Sequence, residues 1–149
     1  IVHGFPERDT LIEDNGHIGH GAILHCCRIG RNALVGMNAV VMDKAEVGES
    51  SIVAAMAFVK AGMVVPPKSL AAGIPAKVVR DLTEQEMAWK VEGTVLYQHL
   101  ARRSLATMTE TVALTEVEAG RKRILLPEIK PLIEAKAEWA GAAAENKDE

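Results

Sequence analysis

Counting in sixes from Ile23 lands on an aliphatic side chain every time: Ile23, Ile29, Val35, Val41, Val47, Val53, Val59 and Val65. Four residues further into the units the side chain is small, at Ala33, Ala39, Ala45, Ser51 and Ala57, and glycine follows the aliphatic residue at Gly30, Gly36 and Gly48. A six-residue period matches neither the helical repeat nor a long run of strict strand alternation. It does match a prism with three flat faces, each face one short strand and one repeat unit. The aliphatic residue then points inward on every face, and stacked coils bury a continuous column. Small side chains suit the narrow space near the corners, and Gly or Asn tolerates the unusual corner backbone. The expected fold is therefore an all-β solenoid, a left-handed parallel β-helix of hexapeptide repeats. Such a core needs few aromatic residues, and they are 3% of this chain.

The repeat has one break. Ile12 and Ile18 are six residues apart, but Ile18 to Ile29 is eleven rather than twelve. One residue is dropped in a segment that also holds His20 and His25. A local departure from an otherwise strict pattern is where function is expected.

The stack is expected to fill residues 1–80, with Pro66–Pro67 stopping strand pairing and Gly73–Arg80 as a closing segment. Thr83-Glu-Gln-Glu86 has the form of a capping box, which announces a C-terminal α-helix over 81–108. Met87, Val91, Val95, Leu96 and Leu100 give that helix an apolar stripe to lay against the prism. Residues 109–149 read as an extended arm, with 121–126 a short strand or part of the arm. A short helix is expected after Ala135, and a disordered end at 145–149. The opening Ile1-Val2-His3 resembles the interior of a strand, so further coils are expected upstream.

The net charge of −3 without a basic stripe argues against nucleic acid as a partner. No run approaches the roughly 18 apolar residues of a membrane span. Cys26 and Cys27 are adjacent, poor geometry for a structural disulfide, and two cysteines in all fit a reducing, cytoplasmic address.

Three histidines near the start carry the chemistry. A coil is about 18 residues, whereas His3 to His25 is 22; the excess can bulge out as the turn-rich loop Gly4–Thr10. His3 and His25 are then neighbours on adjacent coils, about 4.8 Å apart, able to converge on one ion. His20 belongs towards another face. In a three-fold assembly it can meet His3 and His25 of the next chain, giving metal sites at the interfaces of a homotrimer. Three neutral nitrogens plus an open position is the catalytic zinc arrangement, which brings bound water to a pKa of about 7. Zn2+ is the expected ion, with Fe2+ or Co2+ as other divalent choices. Glu7 and Asp9 in the bulged loop are candidate proton shuttles. His17 is expected at a corner and is a weaker ligand candidate. His99 is read as a surface residue on the helix, and the cysteines as small apolar fillers with at least one in the core.

The segment 16–43, GHIGHGAILHCCRIGRNALVGMNAVVMD, closely resembles the gamma-class carbonic anhydrase family. Within it the similarity is greatest to the phenylacetate-degradation PaaY and carnitine-operon CaiE branches. Val2-His3-Gly4, Gly73–Arg80, Leu82–Lys90 and Gly120–Arg123 extend it, the last two favouring the PaaY-like branch. The resemblance implies a homotrimer with zinc or another divalent metal between subunits, held by His3, His20 and His25, and a helix packed along the prism. It also implies an arginine, an aspartate and a glutamine upstream of the first ligand, on coils outside this sequence. The activity most directly implied is reversible CO2 hydration. Thioesterase action on an acyl-CoA, acyl transfer by a hexapeptide acyltransferase, and a non-catalytic metal-binding scaffold are the alternatives.

Overall fold

The computed structural model describes residues 1–121 and 131–145. Twelve short parallel strands wind through four coils, each coil giving one strand to each of three sheets. The first sheet stacks β1 (Val2–His3), β4 (Ile23–His25), β7 (Val40–Val41) and β10 (Phe58–Val59). The second stacks β2 (Leu11–Ile12), β5 (Arg28–Ile29), β8 (Glu46–Val47) and β11 (Val64–Val65). The third stacks β3 (His17–Ile18), β6 (Leu34–Val35), β9 (Ile52–Val53) and β12 (Ser69–Gly73). The architecture is the left-handed β-helix of hexapeptide repeats.

Two-residue strands leave one side chain inward and one outward. Ile29, Val35, Val41, Val47, Val53, Val59 and Val65 all point in and are sealed from solvent. Each such burial contributes about 1.5–3 kcal/mol. At the corners the left-handed backbone falls on Asn15, Asn32, Ser50 and Lys68 along one edge, and on Asn38 and Met56 along another. The glycines answer a different need. A Cβ at Gly36 would lie 2.4 Å from the amide nitrogen of Ala55, so the coils approach too closely there for any side chain.

Two expectations are corrected. In β4 the inward residue is Leu24, 0% exposed, and Ile23 faces out at 37%. Ile12, Ile18 and Leu24 keep the six-residue step, and the missing residue falls between Leu24 and Ile29, at the corner His25-Cys26-Cys27. Strand pairing also continues beyond Pro66–Pro67. Those prolines occupy a corner, where lost amide donors cost nothing to the ladder, and β12 still pairs parallel with β9. It then folds back antiparallel onto β13 (Ala76–Asp81) to close the stack.

The chain divides into two compact units, Ile1–Thr94 and Val95–Glu149. Helix α1 spans Glu84–Thr107 and α2 spans Leu132–Glu145. The capping box forms: Glu86 N donates to Thr83 Oγ1 at 3.2 Å and Thr83 N donates to Glu86 Oε2 at 3.0 Å. The buried face of α1 within the first unit is charged rather than apolar. Glu86 receives two 2.8 Å bonds from Arg80, and Lys90 Nζ donates at 2.6 Å to the Asn15 carbonyl and to Asn32 Oδ1. Val91 of the expected stripe is exposed, and the charge-assisted bonds of Lys90 rather than Val contacts direct this part of the helix. The expected arm at 121–126 and the end at 145–149 fall, apart from Arg121 and Glu145, outside the described residues. No helix among the described residues is long and apolar enough to cross a membrane.

Candidate functional site

The shortened corner between the first and second sheets is where reactive side chains gather. Val2 pairs with Leu24 and His3 with His25, so the 22-residue interval closes as one coil plus an excursion. The imidazoles of His3 and His25 stack with centroids 5.1 Å apart and planes 17° from parallel. The excursion turns back on itself through paired bonds between Phe5 and Arg8, and this brings the Phe5 ring over the pair. Phe5 meets His3 at 5.8 Å and His25 at 5.0 Å, edge-on to both.

One coil further on, Asp43 completes the corner. Its Oδ1 lies 3.1 Å from His25 Nδ1. Burial alone would raise the Asp43 carboxyl; bonds from its own backbone, His25 and Cys26 outweigh that and hold it below its ordinary value of 3.8. A charged carboxylate against Nδ1 fixes the ring and its tautomer. Cys26 sits at the turn itself with φ of 47°, its thiol 3.5 Å from the Arg8 carbonyl. Nitrogen, sulfur and oxygen atoms of His25, Cys26 and Asp43 lie within 4.8 Å of one another.

His20 is elsewhere. It is exposed and starts the turn that leads into β4, at the opposite edge of the first sheet from His25. Within one chain it does not join the group around His25. Between the two edges the outward residues of the first sheet are apolar, Ile23, Val40 and Phe58. Glu7 and Asp9 are both exposed in the excursion, and among the described residues neither bonds to a histidine.

His17 is corrected from a corner to an outward position in β3. Burial, then the Lys90 charge and then His20, hold its imidazole below 6.5. The six-residue step from Ile12 to Ile18 makes position 17 the outward member of a strand rather than a turn. His99 is exposed on α1. Both cysteines are buried; Cys27 is a core residue whose thiol burial pushes up, whereas Cys26 also addresses Arg8 and Asp43. Asp43 and Phe5 are the site members that residue spacing did not single out. The signal for Asp43 was present, since it lies 18 residues, one coil, after His25.

The stacked units and the histidine corner define a hexapeptide-repeat β-helix protein. The family model "Bacterial transferase hexapeptide (six repeats)" matches residues 26–61. The chain belongs to the CaiE-like family of hexapeptide-repeat proteins. It is 56% identical over 132 residues to carnitine operon protein CaiE of Citrobacter koseri, covering 88% of this chain and 67% of that one. To the protein of the same name from Salmonella agona it is 54% identical over 83% of this chain and 63% of that one. The chain thus spans about two thirds of the length of these relatives. Among solved structures, a Bacillus cereus protein provisionally named an acetyltransferase is 34% identical, with a TM-score of 0.69 over 70% of this chain and 61% of that one. A hexapeptide transferase family protein from Anaplasma phagocytophilum is 36% identical, with a TM-score of 0.54 over 63% of this chain and 64% of that one.

Proposed function

We propose that this chain supplies an acyl-transfer centre that works on a coenzyme A thioester, with His25 as general base and Asp43 as the residue that orients it. The observation that carries the reading is the 3.1 Å pair between His25 Nδ1 and Asp43 Oδ1. With Nδ1–H donating to the carboxylate, the lone pair resides on Nε2, which can accept a proton from an incoming hydroxyl. The acceptor oxygen attacks the thioester carbonyl, the C–S bond breaks, and the coenzyme A sulfur leaves with the proton returned by the imidazolium. Transferase descriptions of the family model and of the Anaplasma neighbour support this chemistry. The carnitine operon name of the relatives supports a hydroxyl acceptor of the carnitine type. Water as acceptor would make the same centre a thioesterase.

The test is release of coenzyme A thiol from acetyl- and longer acyl-CoA, with carnitine, other hydroxyl and amine acceptors, or water alone. His25→Ala is expected to lose about 10²–10⁴-fold in rate, and Asp43→Asn about 10–100-fold, with circular dichroism unchanged. Full turnover by folded His25→Ala would overturn the assignment.

A second reading rests on the stacking of His3 upon His25. Two imidazoles one strand apart suit zinc, and Asp43 behind His25 is the usual second partner of a ligating histidine. The third donor, His20, lies at the other edge of the sheet, so a complete set needs a neighbouring copy. The apolar outward column between the two edges supports a homotrimer packed through this sheet. Zinc or another divalent ion held by His3, His20 and His25 would supply Lewis acidity for hydrating CO2 or hydrolysing a thioester. Metal content near one ion per chain, lost in His20→Ala, supports this reading; an unchanged ratio in that variant defeats it.

A further inference from the structure

We propose that His25, Cys26 and Asp43 form a second kind of metal site, a mixed nitrogen, sulfur and oxygen site contained within one chain. Its ligand would be a borderline or soft divalent ion such as Zn2+, Co2+ or Cd2+. Three observations converge on this corner. The donors are brought together by the fold, since His25 and Cys26 are sequence neighbours and Asp43 lies one coil on; their ligand atoms fall within 4.8 Å of one another. The His25 Nδ1 to Asp43 Oδ1 separation of 3.1 Å is close to the edge of a zinc tetrahedron, about 3.3 Å for bonds of about 2.0–2.1 Å.

The position of the thiol is the second observation. Cys26 occupies a left-handed turn position with φ of 47°. The corresponding corners of the next two coils carry Lys44 and Gly62, both also at positive φ. Glycine meets the backbone requirement at no steric cost, whereas a side chain there costs about 1–2 kcal/mol. The turn therefore does not explain the cysteine.

Access is the third. The Cys26 side chain is buried, while His25 and Asp43 keep part of their side chains in solvent, so an ion can enter from the carboxylate side and find the sulfur at the inner wall. Binding would exchange the S–H bond for a sulfur–metal bond and release the proton to water. It would also end the contact of the thiol with the Arg8 carbonyl. A thiolate in the set disfavours Mg2+ and Ca2+, which take oxygen ligands. The site differs from the three-histidine arrangement in needing no neighbouring copy and in using the imidazole nitrogen that faces Asp43.

The experiment is titration of the metal-stripped chain with Co2+, followed by absorbance. A bound thiolate gives a sulfur-to-cobalt charge-transfer band in the near ultraviolet, which an all-histidine site lacks. The band is expected at one ion per chain in the parent and to persist in His20→Ala and Cys27→Ser. It is expected to vanish in Cys26→Gly, a substitution the positive φ accommodates, and in Asp43→Asn to weaken with at least tenfold poorer binding. Absence of the band in the parent, or its survival in Cys26→Gly, would overturn the proposal. Neither result depends on acyl transfer by His25, which the coenzyme A assay reads separately.

Discussion

Truncating Leu24 to alanine removes the inward side chain of β4 and is expected to cost about 2–5 kcal/mol of stability. The same change at Ile23 removes an outward side chain and should cost well under half as much. Urea unfolding of the two variants, side by side, reads the register directly; equal losses would contradict it. The sequence alone assigned the inward role to Ile23, because counting in sixes from Ile29 backwards arrives there. Only the three-dimensional stack locates the missing residue after Leu24 rather than before it. His3 and His25 were legible as neighbours, since coil length and a loop-like excursion suffice to pair them. Asp43 was not singled out. In a linear reading it is one more polar corner residue, and its role depends on which side of the turn His25 presents.

At the scale of single elements, the corners do more than reverse the chain. Gly36 fits only because its missing Cβ leaves room for the backbone of the next coil. Gly36→Ala is expected to destabilise by about 1–3 kcal/mol, as overpacking does, and a thermal midpoint equal to that of the parent would show the coils able to separate. Gly or Asn is expected at corners for its backbone angles; Asn15, Asn32 and Asn38 do carry positive φ, joined by Ser50, Lys44 and Lys68, whereas Gly36 is required by the close approach of the coils. Helix α1 was expected to bury its apolar stripe. Periodicity can show that a stripe exists, but not that the Asn15 carbonyl and the Asn32 amide oxygen compete for the helix through Lys90. The capping box was legible because its bonds are local to four residues.

For the molecule as a whole, that lysine leaves a signature in pH. Burial lowers the Lys90 ammonium from 10.5 to about 8. Between those values the unfolded chain binds more protons than the folded one, so stability rises with pH across the window. The penalty is complete below about pH 8. His17, also lowered, adds a rise in the same direction below 6.5. Chemical denaturation at intervals from pH 7 to 10 should therefore give an increasing midpoint, and Lys90→Met should flatten the upper part of the curve. An unchanged slope in that variant would place the effect elsewhere. Asp43 adds a rise in the same direction at acid pH: its folded value lies below 3.8, so its contribution is present above that pH and fades as acid brings the solution through the folded value.

The shortened corner has a consequence for assembly of the fold itself. A stack of nearly identical coils offers a folding chain many almost equivalent ways to pair, because a valine column displaced by one coil still meets a valine column. The five-residue step from Leu24 to Ile29 exists once among these coils. In the native stack that short turn lies against the full turn of the next coil, Leu24 pairing with Val41 and Ile29 with Val47, so the coil that carries it differs from its neighbours by one residue of length. The residue missing from the repeat thus gives an otherwise periodic chain one coil unlike the next.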